Sequence, residues 1–293
     1  MFDFKAIYEA QSVGHAIKLL QEHPEAKILA GGSDLLIEVR DGKHAGCEAV
    51  SIYLLDELRG VSLDGDGAIR IKPLTSFSHI QRDPIIQARI PVLGDAAGVV
   101  GGPQLRNIGT IGGNICNGVT SADTASTLMA WEAGLEITGP EGVRGCDIGD
   151  FYLSAGKVEL HPAEILTAIL IPKMSYVNCY GHYIKYAMRE AMDIATTGCS
   201  VNVVLSKDKK SYERVRVAFG VAGPVPLRAL TAEAAANGEP VGEETTEAFS
   251  QAVLDDIHPR TSWRATKEFR QHIASEMARR ALVEATKKAG GAI

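Results

Sequence analysis

The sequence has few cysteines, and none of them is spaced for a metal or redox motif. Its 293 residues contain five, at positions 47, 116, 146, 179 and 199, and no two have the C-x-x-C spacing of zinc, iron–sulfur or thioredoxin-like sites. The eight histidines are equally dispersed and form no H-E-x-x-H motif. This pattern is typical of reduced, mostly buried thiols and surface histidines. We therefore expect no metal site in this chain, so any redox chemistry must come from an organic cofactor or a partner chain.

Long apolar runs and an excess of positive charge are missing as well. No apolar run approaches the ~20 residues that cross a bilayer, and Met1–Lys5 lack the basic and then apolar pattern of a signal peptide. The formal net charge is -6, which argues against non-specific binding of nucleic acid. We expect a cytoplasmic protein with no membrane span and no nucleic-acid partner. The length allows two domains with separate cores, or three small ones.

Hydrophobic periodicity predicts three successive units that mix helices and strands. Up to about residue 58, a helix capped by Ser12 and two apolar strands predict a small, mainly parallel sheet. A second unit begins with a hairpin around Asp64–Gly67 and ends at Pro172. The third unit combines antiparallel strands with helices: strands are predicted at 183–186, 200–205 and 215–220, and helices at 229–237, 243–256 and 265–288.

Two glycine-rich loops, at 30–34 and 109–114, are the segments richest in potential ligand-binding groups. Neither contains the G-x-G-x-x-G fingerprint of a Rossmann site or the signature of a P-loop. Both combine glycines with small hydrogen-bond donors. Successive backbone N–H groups in such turns form an anion nest, to which a hydroxyl adds another donor. The two loops together could bracket a pyrophosphate, whereas each alone is more often only a turn.

Four segments, in the same order along the chain, resemble the FAD-binding subunits of the molybdenum hydroxylase family. Lys27–Leu35 resembles the A-G-G-T-D-L loop of that family, and Gly102–Asn114 resembles its second signature, P-Q-[IL]-R-N-x-[AG]-T-x-G-G-N. Lys185–Ala195 resembles the lysine-led strand and loop beside the flavin, and Pro259–Arg270 resembles the signature of the C-terminal domain. Within the family, the pattern is similar to the medium subunits of heterotrimeric bacterial xanthine dehydrogenases.

The resemblance implies an α+β fold. An FAD-binding region of two subdomains, of the vanillyl-alcohol-oxidase or PCMH type, would be followed by a smaller domain with an antiparallel sheet and helices. Residues 1–176 would form the FAD-binding domain, with subdomains at about 1–58 and 59–176. Residues 181–290 would form the C-terminal domain.

The resemblance also implies which residues hold a non-covalent FAD. They are Lys27, Ile28, Leu29, Ala30, Gly31, Gly32, Ser33, Asp34, Leu35, Thr110, Ile111, Gly112, Gly113, Asn114, Asp123, Leu166 and Lys185. Ser33 replaces the commoner threonine and keeps the hydroxyl. Asp34 would accept from sugar or ribityl hydroxyls or from backbone N–H groups, although a helix cap is an alternative. Asp123 would accept from a hydroxyl or orient the Asn114 loop, but the proline that many relatives carry shortly before this position is absent.

Lys185 would lie against the isoalloxazine ring, where a positive charge favours the anionic reduced flavin and raises its reduction potential. The alternative is a solvated lysine on a strand edge. Leu166 would pack on the cofactor, and an ordinary core leucine would look the same. Cys116 lies near the second loop, but the family binds FAD non-covalently.

The implied function is electron transfer without a catalytic residue for the substrate in this chain. Hypoxanthine or xanthine would be hydroxylated at the molybdenum cofactor of a large subunit, and electrons would cross two [2Fe–2S] clusters of a small subunit to reach this FAD. The reduced flavin would pass hydride to NAD+. A dimer of heterotrimers is expected. The alternatives are the same flavin role in an enzyme for carbon monoxide, nicotinate or another heterocycle, a free-standing FAD oxidase, and a flavin-free scaffold protein.

Overall fold

The computed structural model describes residues 2–293. Its first part contains three strands, two helices and a 3₁₀ turn at Asp56–Leu58: β1 (Phe4–Glu9), α1 (Val13–Glu22), β2 (Lys27–Leu29), α2 (Leu35–Arg40) and β3 (Cys47–Ser51). Strand β3 lies between β1 and β2, and both pairs are parallel, which confirms the small parallel sheet. Ser12 caps α1 by accepting from the backbone N–H of His15. The apolar face of α1 is buried, and each buried leucine or isoleucine contributes about 1.5–3 kcal/mol.

The second part is built on a five-stranded antiparallel sheet in the order β4-β5-β10-β6-β7. The predicted hairpin at Asp64–Gly67 joins β4 to β5 and is confirmed. In chain order the elements are β4 (Val61–Leu63), β5 (Ile69–Ile71), α3 (Phe77–Arg82), α4 (Pro84–Arg89), α5 (Pro91–Gly98), α6 (Pro103–Ile108), α7 (Ile111–Cys116), α8 (Asp123–Ala130), β6 (Gly134–Gly139), β7 (Gly142–Asp147), α9 (Ile148–Phe151), β8 (Tyr152–Ser154), β9 (Lys157–Val158) and β10 (Ile165–Ile171).

Helix α7 occupies most of the second glycine-rich loop, and the expectation of a loop at 109–114 is therefore wrong from Ile111 onward. Thr110 is the N-cap, and its hydroxyl accepts from the backbone N–H of Gly113. Two glycines in six residues disfavour an isolated helix. The helix is stabilised by packing, because Gly112 lies so close to Pro73 that a Cβ there would be 2.4 Å from the Pro73 Cβ.

The third part contains a four-stranded antiparallel sheet, in the order β11-β12-β13-β14, which confirms the predicted strands. The connection from β10 contains α10 (Lys173–Tyr176), and Tyr176 belongs to the core of the second part. The elements of the third part are β11 (Tyr180–Tyr186), β12 (Thr197–Leu205), β13 (Tyr212–Gly220), β14 (Leu227–Arg228), α11 (Leu230–Ala236), α12 (Glu243–Asp256) and α13 (Lys267–Lys288). Helices α11 to α13 share a core with this sheet. Among the described helices, including the 22-residue α13, none has the apolar length that crossing a bilayer requires.

Helix α8 joins the second and third parts. All eight of its residues are buried, and it contacts both β12 and β13. The core of the second sheet continues across this contact, since Cys179, Tyr183 and Ala218 belong to the same buried cluster as Trp131. The side-chain amide of Asn202 donates to the carbonyl of Ala130 at 2.6 Å. The two parts are therefore packed against each other through an apolar interface with at least one buried hydrogen bond.

Candidate functional site

A cavity of about 870 Å³ lies where the three parts of the chain meet. The loop between β2 and α2 forms one wall, and the N-terminal end of α7 forms another. The start of β10 and the loop between β11 and β12 complete the lining. Its volume falls within the roughly 300–1,000 Å³ that is typical of sites for organic ligands.

Most of the residues expected to hold FAD line this cavity. They are Lys27, Ile28, Ala30, Gly31, Gly32, Ser33, Asp34, Leu35, Thr110, Gly112, Gly113, Asn114, Asp123 and Leu166. Ile111 is fully buried in the core of the second part, and Leu29 belongs to β2. Lys185 reaches the cavity wall only through its contact with Asp123.

Other parts of the wall were not singled out from the sequence. They include Pro24, Glu38, His44, Pro73, Phe77, Val100, Gly101, Leu105, His161, Glu164, Met192, Asp193 and Ile194. These residues come from separate segments. Leu105 falls in the segment that resembles the family's second signature, and Met192, Asp193 and Ile194 fall in the segment that resembles its flavin-side loop; the others had no signal.

The loop at Gly31–Asp34 presents a row of free hydrogen-bond donors. In the described part of the chain, no acceptor bonds the backbone N–H of any of these four residues. Gly32 has a φ of +73°, a left-handed conformation that favours glycine. Gly31, Gly32 and Ser33 are half-buried and Asp34 is exposed, so these N–H groups face the cavity and are free to bind water or a ligand. Four consecutive free donors in a cavity wall fit the negatively charged pyrophosphate of FAD.

Gly31 also determines how the two glycine-rich segments meet. A Cβ at Gly31 would lie 1.9 Å from the carbonyl oxygen of Ile108 and 3.3 Å from the Cα of Gly109. The backbone of the first loop is therefore in direct contact with the end of α6. Any side chain at this position would push the two walls apart.

The second segment is not an anion nest, so that expectation is wrong. The backbone N–H of Ile111 donates to Thr75 O at 3.1 Å, and that of Gly112 donates to Pro73 O at 2.8 Å. The N–H groups of Gly113 and Asn114 bind the Thr110 hydroxyl and carbonyl, at 3.1 and 3.0 Å. Because the helix and its neighbours use these four donors, three remain for a ligand. They are the backbone N–H of Thr110, the hydroxyl proton of Thr110 and the side-chain amide of Asn114.

Asp34 stands at the N-cap position of α2 without acting as a cap. Its backbone is helical, and its side chain makes no bond to the first turn. The Ser33 hydroxyl donates to Asp34 Oδ2 at 3.4 Å. Burial raises the pKa of the Asp34 carboxyl, and the bond from Ser33 offsets part of that effect.

Asp123 is the centre of a buried hydrogen-bonded cluster in the cavity wall. Tyr183 donates its hydroxyl to Asp123 Oδ1 at 2.9 Å, and the Lys185 ammonium donates to Oδ2 at 2.8 Å. Lys185 also donates to the carbonyl of Val99 at 3.0 Å. Burial raises the pKa of Asp123, and the Lys185 charge and the two hydrogen bonds oppose that rise. Asp123 does not bind Asn114, whose Oδ1 instead accepts from the Thr124 hydroxyl at 2.7 Å.

Lys185 is consequently not a solvated edge residue. It lies on β11, the edge strand of its sheet, yet only 10% of its side chain is exposed. The ion pair with Asp123 leaves the local charge close to neutral. Tyr183, which the sequence did not single out, donates a further hydrogen bond to the Asp123 carboxylate.

Cys116 lines the cavity as an unreactive thiol. Burial raises the pKa of its sulfhydryl to about 12, so the thiolate is scarce at neutral pH. All five cysteines are free thiols. Within residues 2–293, no group of three or more His, Cys, Asp or Glu side chains is arranged to hold a metal ion.

Two family patterns match the chain. One, described as the FAD-binding domain in molybdopterin dehydrogenase, matches residues 2–174. The other, described as the CO dehydrogenase flavoprotein C-terminal domain, matches residues 182–285.

Individual proteins match over almost the whole length. The xanthine dehydrogenase FAD-binding subunit of Escherichia coli O157:H7 is 44% identical over 291 residues, which cover 99% of each chain. The carbon monoxide dehydrogenase medium chain of Hydrogenophaga pseudoflava is 30% identical over 273 residues, 93% of each chain. A solved structure of the carbon monoxide dehydrogenase of that organism, lacking the Mo-pyranopterin moiety, contains a chain that superposes with a TM-score of 0.91. That superposition covers 98% of each chain at 30% identity.

Proposed function

Because this chain belongs to the family of FAD-binding subunits of molybdenum hydroxylases, we propose that it is the electron-transfer subunit of a xanthine dehydrogenase. It would bind FAD in the cavity, receive electrons from the [2Fe–2S] clusters of a small subunit, and deliver them to NAD+. Hypoxanthine or xanthine would be oxidised on a large molybdenum subunit. The observation that carries the proposal is the row of free backbone donors at Gly31–Asp34 in a cavity of about 870 Å³.

The residues of the cavity divide the binding of FAD between backbone and side chains. The N–H groups of Gly31–Asp34 would hold the pyrophosphate, and the Thr110 hydroxyl and Asn114 amide would donate to neighbouring phosphate or ribityl oxygens. Leu166 would supply an apolar contact. FAD, when bound, supplies a centre that accepts electrons and releases them as hydride. The protein contributes binding, orientation and exclusion of water.

The cluster around Asp123 would set the electrostatics near the isoalloxazine ring. Its carboxylate and the Lys185 ammonium are held together by hydrogen bonds from Tyr183 and to Val99 O. A paired charge creates a weaker field at a distance than an isolated one. We therefore propose that this cluster fixes the geometry of the wall and has a smaller effect on the reduction potential than an unpaired lysine would have.

The substrate, the acceptor and the assembly rest on likeness to relatives. The 44% identity to a xanthine dehydrogenase subunit supports a purine substrate more than the 30% identity to a carbon monoxide dehydrogenase subunit supports carbon monoxide. We propose a cytoplasmic dimer of heterotrimers, with NAD+ as acceptor. We also propose that the FAD-binding domain spans residues 1–176, with subdomains at about 1–58 and 59–176, and that the C-terminal domain spans 181–290.

The first test concerns the cofactor itself. The purified chain is expected to be yellow, with the visible spectrum of a flavin, and acid or heat precipitation is expected to release all of the colour as FAD. Cys116→Ala is expected to retain the same flavin content, because the wild-type thiol is protonated and unreactive. Flavin that remains in the protein pellet would contradict non-covalent binding, and a colourless chain that takes up no added FAD would contradict the function.

The second test concerns the complex. Produced together with its molybdenum and iron–sulfur subunits, the chain is expected to support xanthine oxidation coupled to reduction of NAD+. The isolated chain with FAD is expected to oxidise NADH with an artificial acceptor at most. A complex that prefers carbon monoxide or nicotinate would refute the purine substrate and leave the flavin role intact. Purine hydroxylation by the isolated chain would refute the subunit role.

A further inference from the structure

Three arginines at the start of α13 and in the segment before it lie close together without a carboxylate partner. They are Arg260, Arg264 and Arg270, and within residues 2–293 no Asp or Glu oxygen lies within 4.0 Å of their nitrogens. Arg70, by contrast, is paired with Asp64 and Glu136, and other arginines without a carboxylate, such as Arg106 and Arg214, donate to backbone carbonyls. Glu268, the acidic residue in this stretch of sequence, is exposed and forms no ion pair with them. The cluster is therefore a local excess of positive charge.

The surrounding structure holds two of these arginines in place. Arg270 is only 3% exposed, and its guanidinium donates to the carbonyl of Thr196 and, at 2.8 Å, to the Ser262 hydroxyl. The guanidinium of Arg264 stacks on the ring of Trp263, 4.2 Å from its centre. The Nε atoms of Arg264 and Arg270 are buried and bind no acceptor. Burial, followed by the charges of Arg260 and Arg264, lowers the pKa of Arg270.

Exposed aromatic rings surround the cluster. Trp263 is 76% exposed, Phe269 42% and Tyr186 39%, and the rings of Tyr186 and Phe269 meet edge to face at 5.7 Å. We call these three rings and the three arginines the arginine–aromatic surface. Tryptophan, tyrosine and arginine dominate the energetics of protein–protein interfaces. Three large exposed rings fit the face of another protein better than they fit a small free anion.

The arginine–aromatic surface is adjacent to the loop that lines the cavity. Thr196, which Arg270 binds, directly follows the 187–195 loop, and Met192–Ile194 of that loop form part of the cavity wall. Tyr186 stands at the other end of the same loop, where β11 ends. A partner bound to this surface would therefore sit beside the loop that covers one side of the cavity.

We propose that the arginine–aromatic surface docks an acidic segment of the electron-donating partner subunit. This inference rests on the proposed function, because it presupposes a partner that delivers electrons to the cavity. Carboxylates of the partner would bind Arg260 and Arg264, the charges that lack a partner in this chain, and charge-assisted hydrogen bonds are stronger than neutral ones. Trp263 would bury its ring against the same segment. Arg270 would hold the surface in shape through Thr196 and Ser262.

The test uses the full-length FAD-loaded chain and the purified iron–sulfur subunit, with their affinity measured by calorimetry at 50 and 500 mM salt. Arg260→Gln/Arg264→Gln is expected to weaken binding at least tenfold at low salt and much less at high salt, because exposed charges are screened. Trp263→Ala is expected to weaken it about tenfold at both salt concentrations, because its contribution is apolar. Arg270 is left unchanged because its substitution would disturb the fold.

The matched control is Lys207→Gln/Lys210→Gln, which removes two exposed positive charges at the opposite end of β12, about 25 Å away along the strand. It is expected to bind within twofold of the wild type. Equal affinity of the arginine variant and the control would overturn the proposal, as would a loss of affinity in the arginine variant that is the same at 50 and 500 mM salt. Flavin content is measured in every variant. If the wild-type chain has a normal flavin content and fails to bind the iron–sulfur subunit, the docking proposal is refuted and the cofactor role is not.

Discussion

At the scale of single residues, the ion pair of Lys185 with Asp123 determines how each charge affects the stability of the fold and the electrostatics of the cavity wall. Both side chains are at least nine-tenths buried and bonded at 2.8 Å. Removal of one partner of a buried pair leaves an uncompensated charge, which is far more destabilising than loss of the pair as a whole. The sequence suggested a lysine that acts on a flavin through its charge, whereas the structure gives that charge a carboxylate within the protein.

We predict that Lys185→Met lowers the free energy of unfolding by about 3–5 kcal/mol at pH 8. The double variant Asp123→Asn/Lys185→Met is expected to lose less than the single one, because no buried charge is left unpaired. Urea denaturation of the FAD-free proteins, followed by circular dichroism, measures both values. Lys288→Met is the control, since its ammonium binds only Gly181 O and His182, without a carboxylate. It is expected to cost about 1 kcal/mol.

The loss of unfolding free energy caused by Lys185→Met is expected to be smaller at low pH than at high pH. Burial raises the pKa of Asp123 in the folded protein, and the substitution removes the charge that opposes this rise. A folded carboxyl with a raised pKa holds its proton more tightly than the unfolded one, so stability falls as pH rises above the unfolded value of about 4. The deficit relative to the wild type is therefore expected to be smaller at pH 5 than at pH 8. A deficit that is the same at both values would show that Asp123 is not left as an unpaired buried charge.

At the scale of elements, the contact of the β2–α2 loop with the end of α6 brings two distant segments of the cavity wall together. We predict that Gly31→Ala lowers FAD affinity at least tenfold and the free energy of unfolding by about 1–3 kcal/mol, because its Cβ would overlap the Ile108 carbonyl. Gly65→Ala is the control. Gly65 also lies in a turn, but nothing is within 4 Å of a Cβ there. Equal flavin affinity of the two variants would refute the close contact.

The same elements show what the sequence could and could not predict. Ser12, Pro172 and the hairpin at Asp64–Gly67 have strong local signals, and the structure has the expected elements around them. Helix α7 was missed because two glycines disfavour a helix locally, and the contact that stabilises it comes from Pro73, almost 40 residues earlier. The free donors of one glycine-rich segment and the occupied donors of the other were equally unpredictable. Hydrogen bonds to Thr75 and Pro73 cannot be read from local composition.

At the scale of the whole molecule, one core joins the FAD-binding and C-terminal parts. Trp131, at the end of α8, is 1% exposed, and a Cβ at Gly181 on β11 would lie 3.2 Å from its ring. Trp263 is the other tryptophan of the chain and is 76% exposed. When the exposed Trp263 is replaced, Trp131 is therefore a natural fluorescent reporter at the junction of the two parts.

We predict that Trp263→Phe unfolds in one cooperative step. The fluorescence of Trp131 and the far-ultraviolet circular dichroism are expected to give the same urea midpoint, because exposing Trp131 requires both parts to separate. The circular dichroism midpoint of the wild type provides the control for the substitution. A fluorescence transition that precedes loss of secondary structure would contradict this, since it would mean that the parts separate before either unfolds.

The cavity walls span the sequence from Leu20 to Ile194, which sets an order for the biogenesis of the protein. The loop at Gly31–Asp34 leaves the ribosome about 160 residues before the last wall segment, a delay of roughly 8–30 s at ordinary rates of translation. During that interval its free backbone donors have no complete pocket around them. Loading of FAD is therefore expected only after Ile194 has been synthesised, about two thirds of the way along the chain, and a nascent chain truncated before the β11–β12 loop should emerge without its cofactor.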